Sequence, residues 1–322
     1  MPDNQAELVT LERMRFAAEQ IRGVAVRTPL LPWEDGVWLK PESLQPVGAF
    51  KMRGAYFRLS TLTGDERAAG VITYSSGNHA QAVARAARLL GIHAVIVMPE
   101  DAPGLKVDRV RADGAELILA APGNDARRAL AENLAAERSL TLVPPYDDPE
   151  IIAGQGTCGL EIVEDLPQVG EVLVPVSGGG LISGIAAAVK ALAPKARIVG
   201  VEPEDAADAR ESLAAGEIRA WPTERTHETI ADGLRVNRLG NLPWAHIQAL
   251  VDEIVTVSDD DMRDAMRQLA LRARLVVEPS GAASMAAHLT GAAGPVHPPR
   301  VIVLSGGNVD PDHYRSILAG GQ

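Results

Sequence analysis

Short apolar runs alternate with longer amphipathic segments along most of the chain. A short continuous apolar run predicts a buried strand, whereas apolar residues that recur roughly every three or four positions predict a helix lying against a sheet. The clearest predicted strands are VITYS (71–75), HAVIVMP (93–99), ELILA (116–120), EVLVPVS (171–177), RIVGVEP (197–203) and RVIVLSGG (300–307). The helical patterns span about 78–90, 106–112, 125–138 and 181–192. This alternation predicts an α/β fold in which helices cover parallel sheets.

Two proline-containing breaks interrupt this series, PESLQPVG (41–48) and PPYDDPE (144–150). Clusters of Pro, Gly and Asp are typical of loops between structural units. If the chain crosses between domains at both breaks, residues 45–145 form a small mobile domain that is inserted into a large one. The large domain would then consist of residues 1–44 and 146–322.

The composition narrows the possible partners and the compartment. The 322-residue chain is 46% hydrophobic, with a formal net charge of −11 and a pI near 5.2. An acidic chain offers no electrostatic footprint for nucleic acid or an anionic membrane. Cys158 is the only cysteine, which excludes intramolecular disulfides and fits a reducing compartment. The first residues resemble a polar helix rather than a signal peptide, and no apolar run reaches membrane-spanning length, so we expect a cytoplasmic protein.

The segment GAFKMRGA (48–55) places Lys51 at a predicted helix start. The positive end of a helix dipole lowers the pKa of a nearby amine, and an uncharged amine can attack a carbonyl to form a Schiff base. A lysine on the solvent face of a helix is the alternative interpretation. This segment alone does not separate the two.

Three further motifs follow predicted strands, where parallel sheets bind their ligands. SSGNHAQ (75–81) offers backbone N–H groups suited to a carboxylate, with ordinary helix capping as the alternative. SGGGL (177–181) lets the backbone approach a phosphate at a helix start, with a tight turn as the alternative. It matches neither the dinucleotide fingerprint nor the P-loop. LSGGN (304–308) presents Ser305 and a glycine pair at the end of another strand.

In this order and spacing, the four motifs resemble the fold-type II enzymes that use pyridoxal 5'-phosphate (PLP), and among them the threonine dehydratase and serine racemase family. Further matches at AGQGT (153–157), TIADG (229–233) and EPSGA (278–282) extend the resemblance over nearly the whole chain. The resemblance implies a tryptophan synthase β-like fold, in which two parallel-sheet domains hold the cofactor in the cleft between them.

The resemblance also implies roles toward PLP. Lys51 would carry the cofactor as a Schiff base and shuttle the α-proton, and Phe50 would pack at the cofactor. Asn78 would bond the ring hydroxyl and Ser305 the pyridine nitrogen, while Gly233 would complete the cofactor site. The phosphate would be wrapped by the backbone of Ser177, Gly178, Gly179, Gly180 and Leu181.

Substrate contacts are implied in the same way. Ser75, Asn78 and His79 would hold the substrate carboxylate, and Arg127 would join them from the helix after ELILA. Ser76 would face the cofactor ring opposite the lysine, where racemases of this group place a second acid/base.

A divalent-cation site is a further expectation. The segment VEPEDAADARES (201–212) resembles the metal loop of the racemase-like members, with Glu202 and Asp208 as carboxylate ligands and Ala206 as a carbonyl ligand. An all-oxygen ligand set suits Mg²⁺ or Ca²⁺. A solvated acidic loop is the alternative.

The activity implied by the resemblance is β-elimination, the dehydration and deamination of L-threonine or L-serine to a 2-oxo acid and ammonia. Serine racemase and 3-hydroxyaspartate dehydratase remain alternatives, because elimination and racemisation begin with loss of the same proton. A non-catalytic module that binds a phosphate-bearing small molecule is an alternative of another class, and it would have no use for Lys51. We expect a small-molecule amino-acid substrate, no nucleic-acid or membrane partner, and a homodimer.

Overall fold

The computed structural model describes residues 7–75, 77–100, 102, 104–121 and 124–320. Within these ranges the strands are β1 (Leu31–Glu34), β2 (Val37–Pro41), β3 (Val71–Tyr74), β4 (Ala94–Pro99), β5 (Glu116–Ala120), β6 (Thr141–Leu142), β7 (Glu171–Pro175), β8 (Arg197–Pro203), β9 (Glu253–Val257) and β10 (Arg300–Leu304). The helices are α1 (Leu11–Gln20), α2 (Lys51–Ser60), α3 (Gly64–Ala69), α4 (Asn78–Leu90), α5 (Gly104–Ala112), α6 (Asn124–Arg138), α7 (Pro149–Asp165), α8 (Gly180–Leu192), α9 (Asp208–Ala215), α10 (Thr223–Thr226), α11 (Asn241–Leu250), α12 (Asp259–Gln268), α13 (Pro279–Thr290) and α14 (Pro311–Leu318). None of the helices in these ranges is long and apolar enough to cross a membrane.

The strands form two separate sheets. The larger sheet has the order β1-β2-β10-β7-β8-β9, and only β1 runs antiparallel to its neighbour. The smaller sheet has the order β5-β4-β3-β6 and is parallel throughout. All the strands named in the sequence analysis are present, and ELILA and RIVGVEP have the predicted ends. The predicted α/β fold with parallel sheets is confirmed.

The smaller sheet is built from one continuous stretch of chain. Its strands all lie between residues 71 and 142, whereas strands of the larger sheet come both before and after this stretch. Such an order is what an insertion of residues 45–145 into a larger unit would produce. The bounds of the two domains stay a prediction.

Helices α7 and α8 pack against each other almost backbone to backbone. A Cβ atom added to Gly184 would lie 2.4 Å from the backbone nitrogen of Gly156 and 2.4 Å from the carbonyl oxygen of Ile152. A Cβ on Gly156 would also lie 2.3 Å from Sδ of Met14 on α1. The glycines of AGQGT therefore allow three helices to approach closely behind the larger sheet, at the cost of their weak helix propensity.

A buried network of charged side chains anchors the first turn of α2, two residues after Lys51. Arg53 donates to both carboxylate oxygens of Glu42 at 2.7 and 2.8 Å and to both of Glu161 at 2.7 and 2.8 Å. Lys40 on β2 also pairs with Glu161, at 2.6 Å. Because two cations balance two anions, the network joins β2, α2 and α7 without leaving a net buried charge.

Candidate active site

A cavity of about 770 Å³ lies between the two sheets, at the carboxyl ends of β3, β4, β7 and β10. It is lined by every predicted cofactor and substrate residue that the structure describes. These are Phe50, Lys51, Ser75, Asn78, His79, Arg127, Ser177, Gly178, Gly179, Gly180, Leu181, Gly233 and Ser305. The predicted second acid/base, Ser76, lies outside the described residues.

Lys51 is the first residue of α2, and it lines the cavity. Its Nζ donates a hydrogen bond to the carbonyl oxygen of Pro145 at 2.6 Å, and no carboxylate of the described residues pairs with it. Burial lowers the pKa of this amine to about 7. The sequence predicts a lowered pKa from the helix dipole; the lowering is present, but desolvation causes it. A large uncharged fraction at neutral pH suits both nucleophilic attack and proton abstraction.

Phe50 and Ser305 hold Lys51 against the end of β10. The backbone N–H of Phe50 donates to the carbonyl oxygen of Ser305 at 3.0 Å, and the centroid of the Phe50 ring lies 5.1 Å from Nζ of Lys51. Elsewhere in the cavity lining, the N–H of Gly233 donates to Oγ of Ser280 at 2.8 Å. The residues proposed to flank the cofactor ring are thus fixed by backbone contacts.

The glycine loop ends β7 and begins α8. Gly179 precedes the first turn of α8 with φ +93°, a conformation that favours glycine, and no side chain of the described residues caps the turn. Oγ of Ser177 is buried and has no hydrogen-bond partner in this part of the chain. A Cβ on Gly178 would lie 2.4 Å from ring carbons of Tyr146. The uncapped N–H groups of α8, the unpartnered hydroxyl of Ser177 and the absence of a side chain on Gly178 together fit a bound phosphate.

The side chain of Asn78, at the start of α4, is held from two sides. Its Nδ2 donates to Oε1 of Glu278 at 2.6 Å, and its Oδ1 accepts from Nδ2 of Asn308 at 2.8 Å. Burial and the nearby carboxylate of Asp232 raise the pKa of Glu278 to about 7. Sequence reasoning gave no role to Glu278 or to Asn308, although the matched motifs EPSGA and SGGN contain them.

His79 differs from its predicted role in one respect. Its Nε2 lies 3.2 Å from the carbonyl oxygen of Val143, and its Nδ1 has no partner among the described residues. Burial, followed by the charge of Lys51, lowers the pKa of the imidazole to about 3. Assigning Nε2–H as the donor leaves Nδ1 as an acceptor, which cannot bond a carboxylate. His79 can contribute to a carboxylate site through its backbone N–H, in the first turn of α4.

Two further cavity residues, Lys106 and Tyr146, lie outside the predicted set. Lys106 on α5 is buried and forms an ion pair with Asp232, which follows α10. Its Nζ lies 3.6 Å from the position that a Cβ on Gly77 would occupy. Tyr146 lies in the PPYDDPE break, where a wall of an interdomain cleft is expected.

The predicted metal segment begins within β8, which contains Glu202, and reaches Asp208 at the start of α9; none of its three predicted ligands lines the cavity. Glu202 is buried and accepts backbone N–H groups of Ala209 at 3.1 Å and Arg210 at 2.8 Å. Both carboxylate oxygens of the buried Asp208 lack a partner among the described residues. Burial raises the pKa of Asp208 to about 8, and burial together with Asp208 raises that of Glu202. Two buried carboxylates without a cation fit an oxygen-ligand metal site, although no cluster of three or more His, Cys, Asp or Glu side chains occurs in the described ranges.

These features define a two-sheet α/β protein with a buried amine, an uncapped glycine loop and a polar strand end around one cavity. Residues 21–306 match the family model described as "Pyridoxal-phosphate dependent enzyme". The chain therefore belongs to this family, and the predicted fold type, PLP dependence and resemblance are confirmed. PLP fits the site, because the glycine loop can hold its phosphate and Lys51 can hold its carbonyl carbon.

Relatives of known activity cover most of this chain. L-threo-3-hydroxyaspartate ammonia-lyase of Saccharomyces cerevisiae is 44% identical over 284 residues, which are 88% of this chain and 86% of that protein. Serine racemase of Schizosaccharomyces pombe is 40% identical over 326 residues, 99% of this chain and 100% of that one. The catabolic L-threonine dehydratase of Escherichia coli is 44% identical over 277 residues, 85% and 83%. Among solved structures, maize serine racemase matches with a TM-score of 0.90, 36% identity and 98% coverage of both chains. The chain is an enzyme of the threonine dehydratase and serine racemase type.

Proposed function

We propose that this enzyme dehydrates and deaminates a hydroxy amino acid, with L-threonine or L-serine as the leading substrate. The overall reaction removes the α-proton and the β-hydroxyl, and water then replaces the amine, so that the products are a 2-oxo acid and ammonia. The observation that supports it best is the amine of Lys51, whose pKa of about 7 lets it take up a proton at neutral pH.

Bound PLP supplies an electron sink that makes the α-C–H of an attached amino acid acidic. Lys51 is the attachment point and the base that removes this proton. Ser75 and the first turn of α4, with Asn78 and His79, orient the substrate carboxylate, and the glycine loop fixes the phosphate. A serine at the pyridine nitrogen, Ser305, would leave the ring uncharged and favour prompt elimination.

Racemisation of serine is an alternative outcome at the same site. It needs a second acid/base on the opposite face of the substrate, and Ser76 is the proposed group. The S. pombe serine racemase supports this alternative.

A 3-hydroxyaspartate substrate is favoured by a different observation, the cations that line the cavity. Lys106, Arg109, Arg127 and Arg128 all lie on its wall. Because Asp232 pairs with Lys106 and Glu132 pairs with Arg128 on the same wall, a second substrate carboxylate would draw on the guanidinium groups of Arg109 and Arg127. The S. cerevisiae ammonia-lyase also supports this alternative.

The test is to incubate the PLP-loaded enzyme with L-threonine, L-serine, D-serine and both 3-hydroxyaspartate diastereomers, and to measure the 2-oxo acid and the chirality of the remaining amino acid. We expect the 2-oxo acid from L-threonine or L-serine, and none with Lys51→Ala. PLP-loaded enzyme that forms no 2-oxo acid from any of the five would refute the proposal.

Three further properties belong to the proposal. Glu202, Ala206 and Asp208 would hold Mg²⁺ or Ca²⁺ in a structural role, supported by the unpartnered oxygens of Asp208. The enzyme would be a homodimer, as the resemblance implies, and cytoplasmic, as the composition suggests. Added EDTA that left both the melting temperature and the rate unchanged would refute the metal site.

A further inference from the structure

The orientation of the Asn78 amide is determined by a chain of hydrogen bonds that begins outside the cavity. Nδ2 of Asn308 donates to the carbonyl oxygen of Val47 at 2.7 Å and to Oδ1 of Asn78 at 2.8 Å, which uses both of its hydrogens. Oδ1 of Asn308 accepts from Nη1 of Arg109 at 2.5 Å. Rotating the Asn308 amide by half a turn would place its Nδ2 against Nη1 of Arg109. Its Oδ1 would then face the oxygens of Val47 and Asn78. Its orientation is therefore unique.

This fixed amide in turn determines the next one. Because Asn308 donates an N–H to Asn78, the acceptor on Asn78 must be its Oδ1. Its Nδ2 then faces Oε1 of Glu278 at 2.6 Å, and this oxygen accepts whether the group is ionised or carries its proton on Oε2, which has no partner among the described residues. The reversed Asn78 amide would place its oxygen against the carboxylate and its nitrogen against another nitrogen. A buried arrangement of that kind leaves several polar groups unpaired.

One hydrogen on Nδ2 of Asn78 remains after the bond to Glu278, and Asn78 lines the cavity. Because the amide cannot turn, the group that Asn78 offers to a ligand beside Glu278 is an N–H donor rather than a carbonyl. A donor at this position matches an oxygen that carries negative charge, such as the deprotonated ring hydroxyl of PLP.

We propose that Glu278 and Asn308 are positioning residues, which act through Asn78 and make it present an N–H to the ring oxygen of PLP. The inference rests on the PLP-binding role proposed for Asn78. Neither residue needs to touch the cofactor in this role. Glu278 is required as a hydrogen-bond acceptor, and its charge is secondary.

The structure supports the acceptor role of Glu278 in a second way. Glu278 is 1% exposed, and a Cβ on Gly306 would lie 2.1 Å from its Oε1. Its own N–H donates to the carbonyl oxygen of Gly306 at 3.1 Å. The carboxylate is therefore held against the backbone of the S-G-G-N segment and has little freedom to move away from Asn78.

The test compares Glu278→Gln, which can still accept through Oε1, with Glu278→Met, which has a similar length and no acceptor. PLP affinity of the cofactor-free proteins and the absorbance spectrum of bound PLP are measured. We expect Glu278→Met to bind PLP about tenfold more weakly, with absorbance moved from the visible band toward the ultraviolet, because the ring oxygen is protonated more readily. Glu278→Gln should stay within about twofold of wild type in affinity and keep the visible band.

A matched control is Glu132→Met, which removes another cavity carboxylate that pairs with Arg128 and does not contact Asn78. It should leave PLP affinity and spectrum unchanged. Should Glu278→Met fail to fold, Asn308→Asp carries the test, because it removes the donor to Asn78 at nearly constant volume and should weaken PLP binding to the same degree. Melting temperatures of the cofactor-free proteins report folding independently of PLP.

Wild-type affinity and spectrum in Glu278→Met, or in Asn308→Asp where that variant is used, would overturn the inference. Equal losses in Glu278→Gln and Glu278→Met would also overturn it, because charge rather than acceptance would then matter. These outcomes differ from a failure of the proposed function, in which the wild-type protein itself would bind no PLP or form no product.

Discussion

Replacing Lys51 by methionine should stabilise the cofactor-free enzyme at neutral pH. The amine of Lys51 has no carboxylate partner among the described residues, and burial lowers its pKa from 10.5 to about 7. At pH 7 the Lys51 amine is protonated in the unfolded chain but only partly protonated in the folded chain. The difference corresponds to at most about 4 kcal/mol of folding free energy that the wild type forgoes at pH 7.

The net gain is smaller than this limit. Lys51 is partly exposed to the cavity, so solvent screens its charge, and the variant loses the hydrogen bond to Pro145, which contributes about 1 kcal/mol. We expect Lys51→Met to raise the free energy of unfolding by about 2 kcal/mol at pH 7. The sign of the pH dependence follows from linkage. Between pH 7 and 10.5 the unfolded wild type binds more protons than the folded one, so wild-type stability rises with pH and the advantage of the variant shrinks.

Urea unfolding of the two PLP-free proteins at about pH 7 and about pH 9.5 measures this difference, provided that their denaturant slopes agree. Lys106→Met is the matched control, because this buried lysine is paired with Asp232 and its removal should lower stability. A Lys51→Met protein that is less stable than wild type at pH 7, or a difference that does not change with pH, would show that burial of the amine is not costly.

Three other changes test separate parts of the structure. Arg53→Met should lower the free energy of unfolding by about 3 to 5 kcal/mol in urea unfolding, because it leaves two buried carboxylates with too few cations, and an unchanged midpoint would contradict that account. Mg²⁺ at about 100 times its dissociation constant should stabilise the wild type by about 2.7 kcal/mol in the same assay, and Asp208→Asn should lose that response. Gly178→Ala should weaken PLP binding about tenfold in a spectroscopic titration, since the ring of Tyr146 occupies the space of the new methyl group. Adding Tyr146→Ala should recover part of the lost affinity. A double variant that binds PLP as weakly as the single one would refute that reason.

The sequence predicts most of the sheet framework, because strand periodicity and strand-end glycines are local features. Helix α7 cannot be predicted from local features in this way. Its AGQGT segment is rich in a poor helix former, and only close contacts with other helices explain why glycine is needed, because a Cβ on Gly154 would meet α2 and one on Gly156 would meet α1 and α8. The two-residue strand β6 is too short to carry a pattern, and it exists because it pairs with β3. Propensity is overridden by packing at both places.

The candidate site divides in the same way. Lys51, the glycine loop and Asn78 are visible in the sequence because each lies in a compact motif at a strand end or a helix start. The partners of Asn78 are not visible, because Glu278 is 200 residues away and Asn308 is 230 residues away along the chain. The cause of the lowered Lys51 pKa is likewise invisible, since burial is a property of the assembled cavity and the helix dipole is a property of one segment.

The same long-range contacts connect cofactor binding to the arrangement of the two sheets. Asn78 and Arg109 belong to helices that cover the smaller sheet, whereas Glu278 precedes α13 and Asn308 follows β10, a central strand of the larger one. Asn78 is therefore oriented only where the two parts of the chain are in contact. An arrangement that separated them would lose the correctly oriented donor together with the enclosing wall of the cavity. PLP should therefore bind more tightly when the two parts of the chain are in contact than when they are separated. Bound PLP then favours the arrangement in contact, by the difference in its binding free energy between the two arrangements.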